Sequence, residues 1–264
     1  ADVVAVGIDT LCPGLTALDE NLKPLINPIL YCDHRSKDEE TEILSRVGEE
    51  RLFKITANHV MSGAISATSM LWIKKHRPEI YANTRYFGHI NTMLSALLTG
   101  HAAIDPSNAS YTGLFETTGG CRWSKELCQL IGIDEEKLPP VLASASVSGI
   151  IHHPLAIAAG IPAGTPLIIG GSDTTCTAVA CGAIHAGDVF ESIGTTDVLT
   201  ICVEKPIFCR EYINRYHVYP NRWIYQGAMS NAGFAQKWAI KTLCKDWALQ
   251  SQEAQESTNY QAYD

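Results

Sequence analysis

An aspartate that directly follows a pair of glycines is the residue of this sequence best placed for chemistry. In the stretch "PLIIGGSDTTCTAVACG", residues 166–182, an apolar run ends at Gly170 and Gly171, and Asp173 comes two residues later. In α/β proteins, ligands commonly bind where a strand ends and a helix begins. An aspartate there can act as a general base and accept the proton of an attacking hydroxyl group. It can equally be a helix N-cap beside ordinary turn glycines, and both alternatives stay open at this point.

A second motif, Gly194-Thr195-Thr196, lies in "SIGTTDVL" between two strand-like runs, about twenty residues after Asp173. The backbone N–H groups of a glycine turn can bind a phosphate together, and threonine hydroxyls add further donors. A plain hairpin turn is the alternative for this motif alone. The two motifs together are more specific than either alone. They place a carboxylate and a phosphate-binding turn along a strand–helix–strand–turn–strand sequence of elements, which indicates phosphoryl transfer.

Composition limits the classes of function that the chain can have. The 264 residues are 46% apolar and 18% charged, which is typical of one large or two smaller globular domains. The net charge of −8 argues against nucleic-acid binding and against an anionic membrane surface as partner. The uncharged stretch 151–172 contains three prolines, so it cannot be one membrane-spanning helix.

The cysteines and histidines indicate neither disulfides nor a metal site. The nine cysteines include no CxxC pair, and several lie in apolar runs, so we expect reduced, buried thiols in a cytoplasmic protein. Two adjacent histidines, His152 and His153, would point to opposite faces of a strand and make a poor ligand pair. The first residues, "ADVVAVGID", lack the basic start of a signal peptide.

The patterns along the chain mix strands with helices, which predicts an α/β or α+β fold. The run "VVAVGID" predicts a buried strand near the start. Ser36 and Glu39 predict a capping box for a helix that ends at Gly48. Further helices are predicted to end at Gly100 and to begin after Ser124.

These motifs, in this order, resemble the FGGY carbohydrate kinases, which are sugar and polyol kinases of the actin-like ATPase superfamily. "VVAVGID" and "LTALDENLKPLINPILYCDHRS" are similar to the family's early strand and hairpin. "NTMLSALLTGHAAIDPSNASYTGLF" is close to the glycerol-kinase-like form. "AGTPLIIGGSDTTCTAVACGAIHAGDVFESIGTT" resembles the region where the first domain meets the second. The similarity covers nearly the whole chain.

The resemblance implies an actin-like ATPase (ribonuclease H-like) fold, with a mixed sheet flanked by helices. It implies a sugar-binding domain over residues 1–184 and the beginning of an ATP-binding domain over 185–264. Family members open with a strand and a D-x-G-T phosphate loop that nothing here matches, and their adenine site would lie beyond Asp264. We therefore expect an incomplete chain.

The resemblance also implies roles for individual residues. Asp173 matches the catalytic base, and Thr174 matches a position that contacts substrate. Gly194, Thr195 and Thr196 match the loop that holds the transferring phosphate. The implied cofactors are ATP and Mg²⁺, the implied partner is a small sugar or polyol, and the resemblance allows a homodimer.

The chain departs from the family's pattern in the loop after the first strand. Cys12 and Pro13 occupy the substrate-binding positions where family members usually carry polar or soft side chains. Neither can make the usual charged contacts, so the identity of the sugar cannot be carried over. The alternative function is a non-catalytic sugar- or nucleotide-binding protein on the kinase fold.

Overall fold

A computed structural model describes residues 3–194, 197–229 and 232–243. The strands are β1 (Val6–Thr10), β2 (Gly14–Leu18), β3 (Ile29–Leu30), β4 (Tyr86–His89), β5 (Val147–Ile150), β6 (Pro166–Ser172), β7 (Val189–Ile193), β8 (Asp197–Val203), β9 (Ile213–Tyr216) and β10 (Trp223–Met229). The helices are α1 (Lys37–Val47), α2 (Glu49–Thr56), α3 (Ser66–His76), α4 (Pro78–Asn83), α5 (Ile90–Thr99), α6 (Pro106–Ala109), α7 (Lys125–Ile131), α8 (Pro154–Ala158), α9 (Asp173–Ala180) and α10 (Ala232–Leu243).

The first sheet has the strand order β1-β6-β5 and is mixed, as the family resemblance implies. β1 runs parallel to β6, with Val6 opposite Leu167 and Thr10 opposite Ser172. β5 runs antiparallel to β6 on the other side. Because β1 and β6 are parallel and in register at their ends, the loops that follow them leave the sheet at the same edge. The loop with Cys12 and the turn with Asp173 are therefore neighbours.

Two further sheets complete the described structure. The order β3-β2-β4 forms a small antiparallel sheet, against which helices pack to form the largest described core cluster. That core includes Leu15, Ile43, Met70, Phe87 and Leu127. The order β7-β8-β10-β9 forms an antiparallel sheet after residue 185.

The predicted capping box at Ser36 is wrong, although α1 does begin at the next residue. The Ser36 side chain makes no cap bond. Its hydroxyl instead donates to Thr68 Oγ1 at 2.9 Å and lies 3.0 Å from Ser62 Oγ. Glu39 is buried and accepts from Lys75 Nζ at 2.9 Å. These distant partners take both side chains away from the start of the helix.

Strand β9 bonds directly to elements from the first part of the chain. Asn58 Nδ2 donates to the Asn214 carbonyl and Asn58 Oδ1 accepts from the Asn214 N–H, both at 2.8 Å. The Tyr216 N–H donates to Ser110 Oγ at 3.1 Å. We call the contacts of Asn214, Arg215 and Tyr216 with the first part of the chain the β9 interface. The domain boundary near residue 185 stays a prediction.

The apolar stretch 151–172 is interrupted, as its prolines predict. It contains α8 and β6 with loops between them. Within the ranges that the structure covers, no helix has both the length and the apolar character needed to cross a membrane.

Candidate active site

Asp173 is the first residue of α9 and stands at the carboxyl end of β6. The N-cap position belongs to Ser172, which has extended backbone angles (φ −71°, ψ 146°). The N-cap alternative for Asp173 therefore does not hold. Gly170 has a φ of +62°, and a Cβ atom there would overlap the carbonyl oxygen of Ile8 on β1. This close approach of the two strands requires glycine and brings the Asp173 turn against the end of β1.

One oxygen of the Asp173 carboxylate is held and the other is not. Oδ1 accepts from the Thr174 N–H at 2.7 Å and from Thr174 Oγ1 at 3.1 Å. Oδ2 accepts no hydrogen bond from any residue in the described ranges, and the side chain is exposed. The arrangement leaves one carboxylate oxygen in a fixed direction and open to an incoming hydroxyl group.

Cys12 lies beside this turn, as the parallel register of β1 and β6 requires. Its Sγ is 3.7 Å from His89 Nδ1. Burial raises the pKa of the Cys12 thiol far above its usual range, so Cys12 is a neutral thiol at physiological pH. Pro13 is buried before β2. Substrate contacts by Cys12, Pro13 and Thr174 stay predictions.

A network of buried polar side chains, which the sequence patterns did not predict, lies below the site and is centred on Asp105. Asp105 Oδ1 accepts from Asn108 Nδ2 at 2.7 Å, and Oδ2 accepts from Ser107 Oγ at 2.5 Å. Burial raises the pKa of the Asp105 carboxyl, and the hydrogen bonds from Ser107 and Asn108 oppose that shift. The only sequence signal was the unusually polar run "DPSNAS" in an otherwise apolar region.

This network joins the two loops of the site. On one side, Asn108 Oδ1 lies 3.3 Å from His89 Nδ1, the same nitrogen that faces Cys12. On the other side, the N–H of Ser172 donates to Ser107 Oγ at 2.9 Å. The Cys12 loop and the Asp173 turn are therefore anchored to one buried carboxylate.

Arg215 and Tyr111, from separate parts of the chain, lie near the Asp173 turn. The sequence analysis identified neither of them as a site residue. Arg215 on β9 donates from Nη1 to Ser172 Oγ at 2.8 Å. Its guanidinium carbon lies 3.8 Å from the centre of the Tyr111 ring. Tyr111 in turn lies in the wall of a cavity.

That cavity, of about 460 Å³, lies between the 31–65 region and strands β8 to β10. Its walls are mostly aromatic and aliphatic, with two amide side chains and two exposed charged side chains, Arg210 and Glu211. The residues that determine this character are Tyr31, Met61, Tyr111, Tyr212, Asn58 and Gln226. Flat apolar surfaces combined with a few hydrogen-bonding groups are typical of small-molecule sites.

Gly194 directly follows strand β7, at an exposed bend. Ile193, the last residue of β7, pairs with Asp197, the first residue of β8. Thr195 and Thr196 lie outside the described residues, and no hydrogen bond in the described ranges joins Gly194 to the Asp173 turn. Those ranges also contain no cluster of three or more His, Cys, Asp or Glu side chains that could hold a metal ion.

Comparison with known proteins identifies the family. The family described as "FGGY family of carbohydrate kinases, N-terminal domain" matches residues 1–180. The chain belongs to the FGGY family of carbohydrate kinases. The resemblance drawn from the motifs is thereby confirmed.

Individual FGGY relatives show how far the similarity extends. Xylulose kinase of Escherichia coli (strain K12) is 30% identical over 249 residues, which cover 91% of this chain and 49% of that protein. Gluconokinase of Bacillus subtilis (strain 168) is 27% identical over 232 residues, or 85% of this chain and 44% of that protein. The chain spans about half the length of the curated relatives it matches.

Solved structures of FGGY kinases have the same fold as this chain. The crystal structure of a xyloylose kinase from Brucella ovis superposes with a TM-score of 0.83 at 26% identity, covering 92% of this chain and 49% of that one. The predicted α/β fold of the actin-like ATPase class is confirmed.

Proposed function

We propose that the whole protein transfers the γ-phosphoryl group of ATP to a hydroxyl group of a small sugar or polyol, with Asp173 as the general base. The observation that carries this proposal is the exposed Asp173 at the shared edge of β1 and β6, whose Oδ2 has no hydrogen-bond partner in the described ranges. The named kinases among the relatives support the same class of reaction.

In this reaction the chain's own residues position the acceptor. Thr174 holds Oδ1 of Asp173 by two hydrogen bonds, which leaves Oδ2 available to the acceptor. Oδ2 accepts the hydrogen bond of the attacking hydroxyl and then its proton as the bond to phosphorus forms. Most of the rate enhancement in such transfers comes from positioning and charge stabilisation rather than from the base alone.

ATP supplies the phosphoryl group and brings Mg²⁺ on its phosphates. Gly194 is exposed directly after β7, and a glycine there would let the backbone approach a phosphate closely. Asp9 lies near the carboxyl end of β1, beside the Asp173 turn, and Mg²⁺ bound to a nucleotide usually needs only one or two protein carboxylates. Asp9 and Gly194 are therefore the residues that would hold the metal nucleotide, and Asp173 stays free to act as the base.

The cavity beside Tyr111 is the proposed sugar site. Tyrosine faces can pack against the apolar faces of a sugar ring, and the exposed side chains of Arg210 and Glu211 can bind its hydroxyls. Tyr111 also contacts Arg215, which bonds to the residue before Asp173. A sugar in this cavity would lie close to the proposed base.

The test measures ADP release and sugar phosphate formation by the full-length protein with pentoses, hexoses, ketoses, polyols and sugar acids. In Asp173→Asn we expect kcat to fall about 10²- to 10⁴-fold with little change in the KM values, because the proton acceptor is lost. Asp38→Asn is the matched control, since Asp38 is also an exposed aspartate in the first turn of a helix. It should keep wild-type turnover.

Two results would overturn the proposal. If Asp173→Asn turns over like the wild type, Asp173 is not the base. The second result is that the wild type phosphorylates nothing in the panel, while the wild type and Asp173→Asn bind a sugar saturably and equally well. The protein is then a non-catalytic binding protein on the kinase fold.

A further inference from the structure

Arg215 is a buried cation in an unusual setting. Its side chain is only 4% exposed, and its Nε atom is buried without a hydrogen-bond partner in the described ranges. No carboxylate of a described residue lies within 4.0 Å of the guanidinium. The contacts it does make are a hydroxyl, Ser172 Oγ, and the face of the Tyr111 ring.

Such a setting does not favour stability. A guanidinium that leaves water loses several kcal/mol of hydration, and a single neutral hydroxyl and an aromatic face return only part of it. Asp105 is the nearest buried carboxylate along the network, and it is reached only through Ser107 and Ser172. A contribution to folding stability therefore does not explain why a charged side chain is buried at position 215.

What Arg215 touches suggests that reason. Ser172 is the N-cap residue of α9, and Asp173 follows it directly. The Ser172 hydroxyl also lies 2.9 Å from Thr175 Oγ1, inside the first turn of the helix. Arg215 thus fixes, from the β7–β10 sheet, the residue from which the Asp173 carboxylate projects.

We infer that Arg215 is a positioning residue for Asp173: through Ser172 it holds the start of α9 in register with the sheet that carries the Gly194 turn. The inference rests on the proposed kinase function, because it assigns Arg215 a part in that reaction. A displacement of about 1 Å between reacting groups can cost about 10²-fold in rate. The loss should appear in kcat and leave the KM values almost unchanged.

The experiment distinguishes an effect on the position of Asp173 from an effect on stability, with four variants of the full-length protein and one control variant. Arg215→Met keeps the length of the side chain and removes its charge and its donors. Arg215→Lys keeps the charge, and Ser172→Ala removes the acceptor of Arg215 together with the contact to Thr175 Oγ1. We expect Arg215→Met to lower kcat 10- to 100-fold, with KM for sugar and ATP within threefold and a melting temperature equal to or above that of the wild type. Arg215→Lys should recover part of kcat.

The double variant tests whether Arg215 acts through Ser172. If it does, Arg215→Met combined with Ser172→Ala should be no slower than the slower single variant, because both remove the same contact. Trp223→Phe is the control on the same sheet, since it removes the bond from Trp223 Nε1 to the Thr117 carbonyl without touching the Asp173 turn. It should lower the melting temperature and leave kcat unchanged.

The outcomes separate this inference from the proposed function. If the wild type phosphorylates no sugar, the proposed function itself fails. If the wild type is active and Arg215→Met has a kcat within twofold of it, the positioning role is overturned. It is also overturned if the fold-losses in kcat of Arg215→Met and Ser172→Ala multiply in the double variant. A third contrary result is a loss of kcat in Arg215→Met that follows only from a fall in its melting temperature.

Discussion

At the scale of single residues, the polar network determines the chemical state of His89. Asn108 Nδ2 donates to Asp105, so the Asn108 oxygen faces His89 and requires the proton of the imidazole to be on Nδ1. Nε2 then accepts from the Ser66 hydroxyl at 2.7 Å. Burial lowers the pKa of His89 from 6.5 to about 4, so the ring is neutral in the folded protein.

This pKa predicts a stability that depends on pH. Because the pKa of His89 is lower in the folded than in the unfolded chain, its contribution is fully present above pH 6.5 and is lost as the pH falls toward 4. Between pH 7.5 and 4.5 we expect the free energy of unfolding to fall by about 2–3 kcal/mol from this group alone. Urea unfolding across this range measures it.

The His89→Gln variant isolates that contribution. It should lower stability at neutral pH but show a smaller fall toward pH 4.5 than the wild type. His152→Gln, at an exposed histidine, should keep the wild-type pH dependence. A pH dependence that is identical in wild type and His89→Gln would contradict a neutral, buried imidazole.

At the scale of elements, the pairing of β1 with β6 depends on one glycine. Gly170 adopts a left-handed φ and lies where the β1–β6 register shifts between Gly7 and Asp9. A side chain there is unfavourable for its backbone angles and also overlaps the Ile8 carbonyl. Gly170, the first glycine of "GGSD", is therefore needed for the packing of β6 against β1 as well as for the turn.

We predict that Gly170→Ala lowers the free energy of unfolding by more than about 3 kcal/mol, from backbone strain and overlap together. Gly164→Ala is the matched control, because Gly164 also has a positive φ (+91°) but open space around its Cβ position. It should cost only about 1 kcal/mol. If urea unfolding shows equal losses of unfolding free energy in Gly170→Ala and Gly164→Ala, the overlap with Ile8 does not contribute to the loss.

At the scale of the whole molecule, the β9 interface joins the β7–β10 sheet to the first part of the chain. Asn58 is buried and makes two hydrogen bonds to the backbone of Asn214. Its removal leaves a buried N–H and a buried C=O without partners, which costs about 1–3 kcal/mol. The interface therefore contributes directly to the cooperativity of the fold.

We expect Asn58→Ala to lower the free energy of unfolding by about 2–3 kcal/mol and to accelerate amide hydrogen exchange in β9 and β10 before it does so in β1 and β6. Asn83→Ala is the control, since the exposed Asn83 side chain bonds only to a carbonyl within its own helix. Unchanged exchange in β9 after Asn58→Ala would mean that the two parts are held together by other contacts.

Much of the local structure could be predicted because its causes are local. Gly100 ends α5 in a left-handed conformation, and Ser124 Oγ accepts from the Leu127 N–H at the start of α7, as the sequence predicts. The predicted strand and helix around Asp173 are also present, although β6 extends one residue beyond the two glycines to Ser172 and α9 already begins at Asp173. Each depends on backbone preferences and hydrogen bonds within a few residues.

By itself, the sequence determined the order of strands and helices, the family, and the place of Asp173 at the start of a helix. Only the tertiary structure decided which distant groups meet there: Ser107 under the Ser172 N–H, Arg215 on its hydroxyl, and His89 beside Cys12. The same long-range contacts took Ser36 away from its predicted cap. No spacing along the chain encodes these pairs, because their partners are set by how the sheets pack and which polar groups must be satisfied once buried.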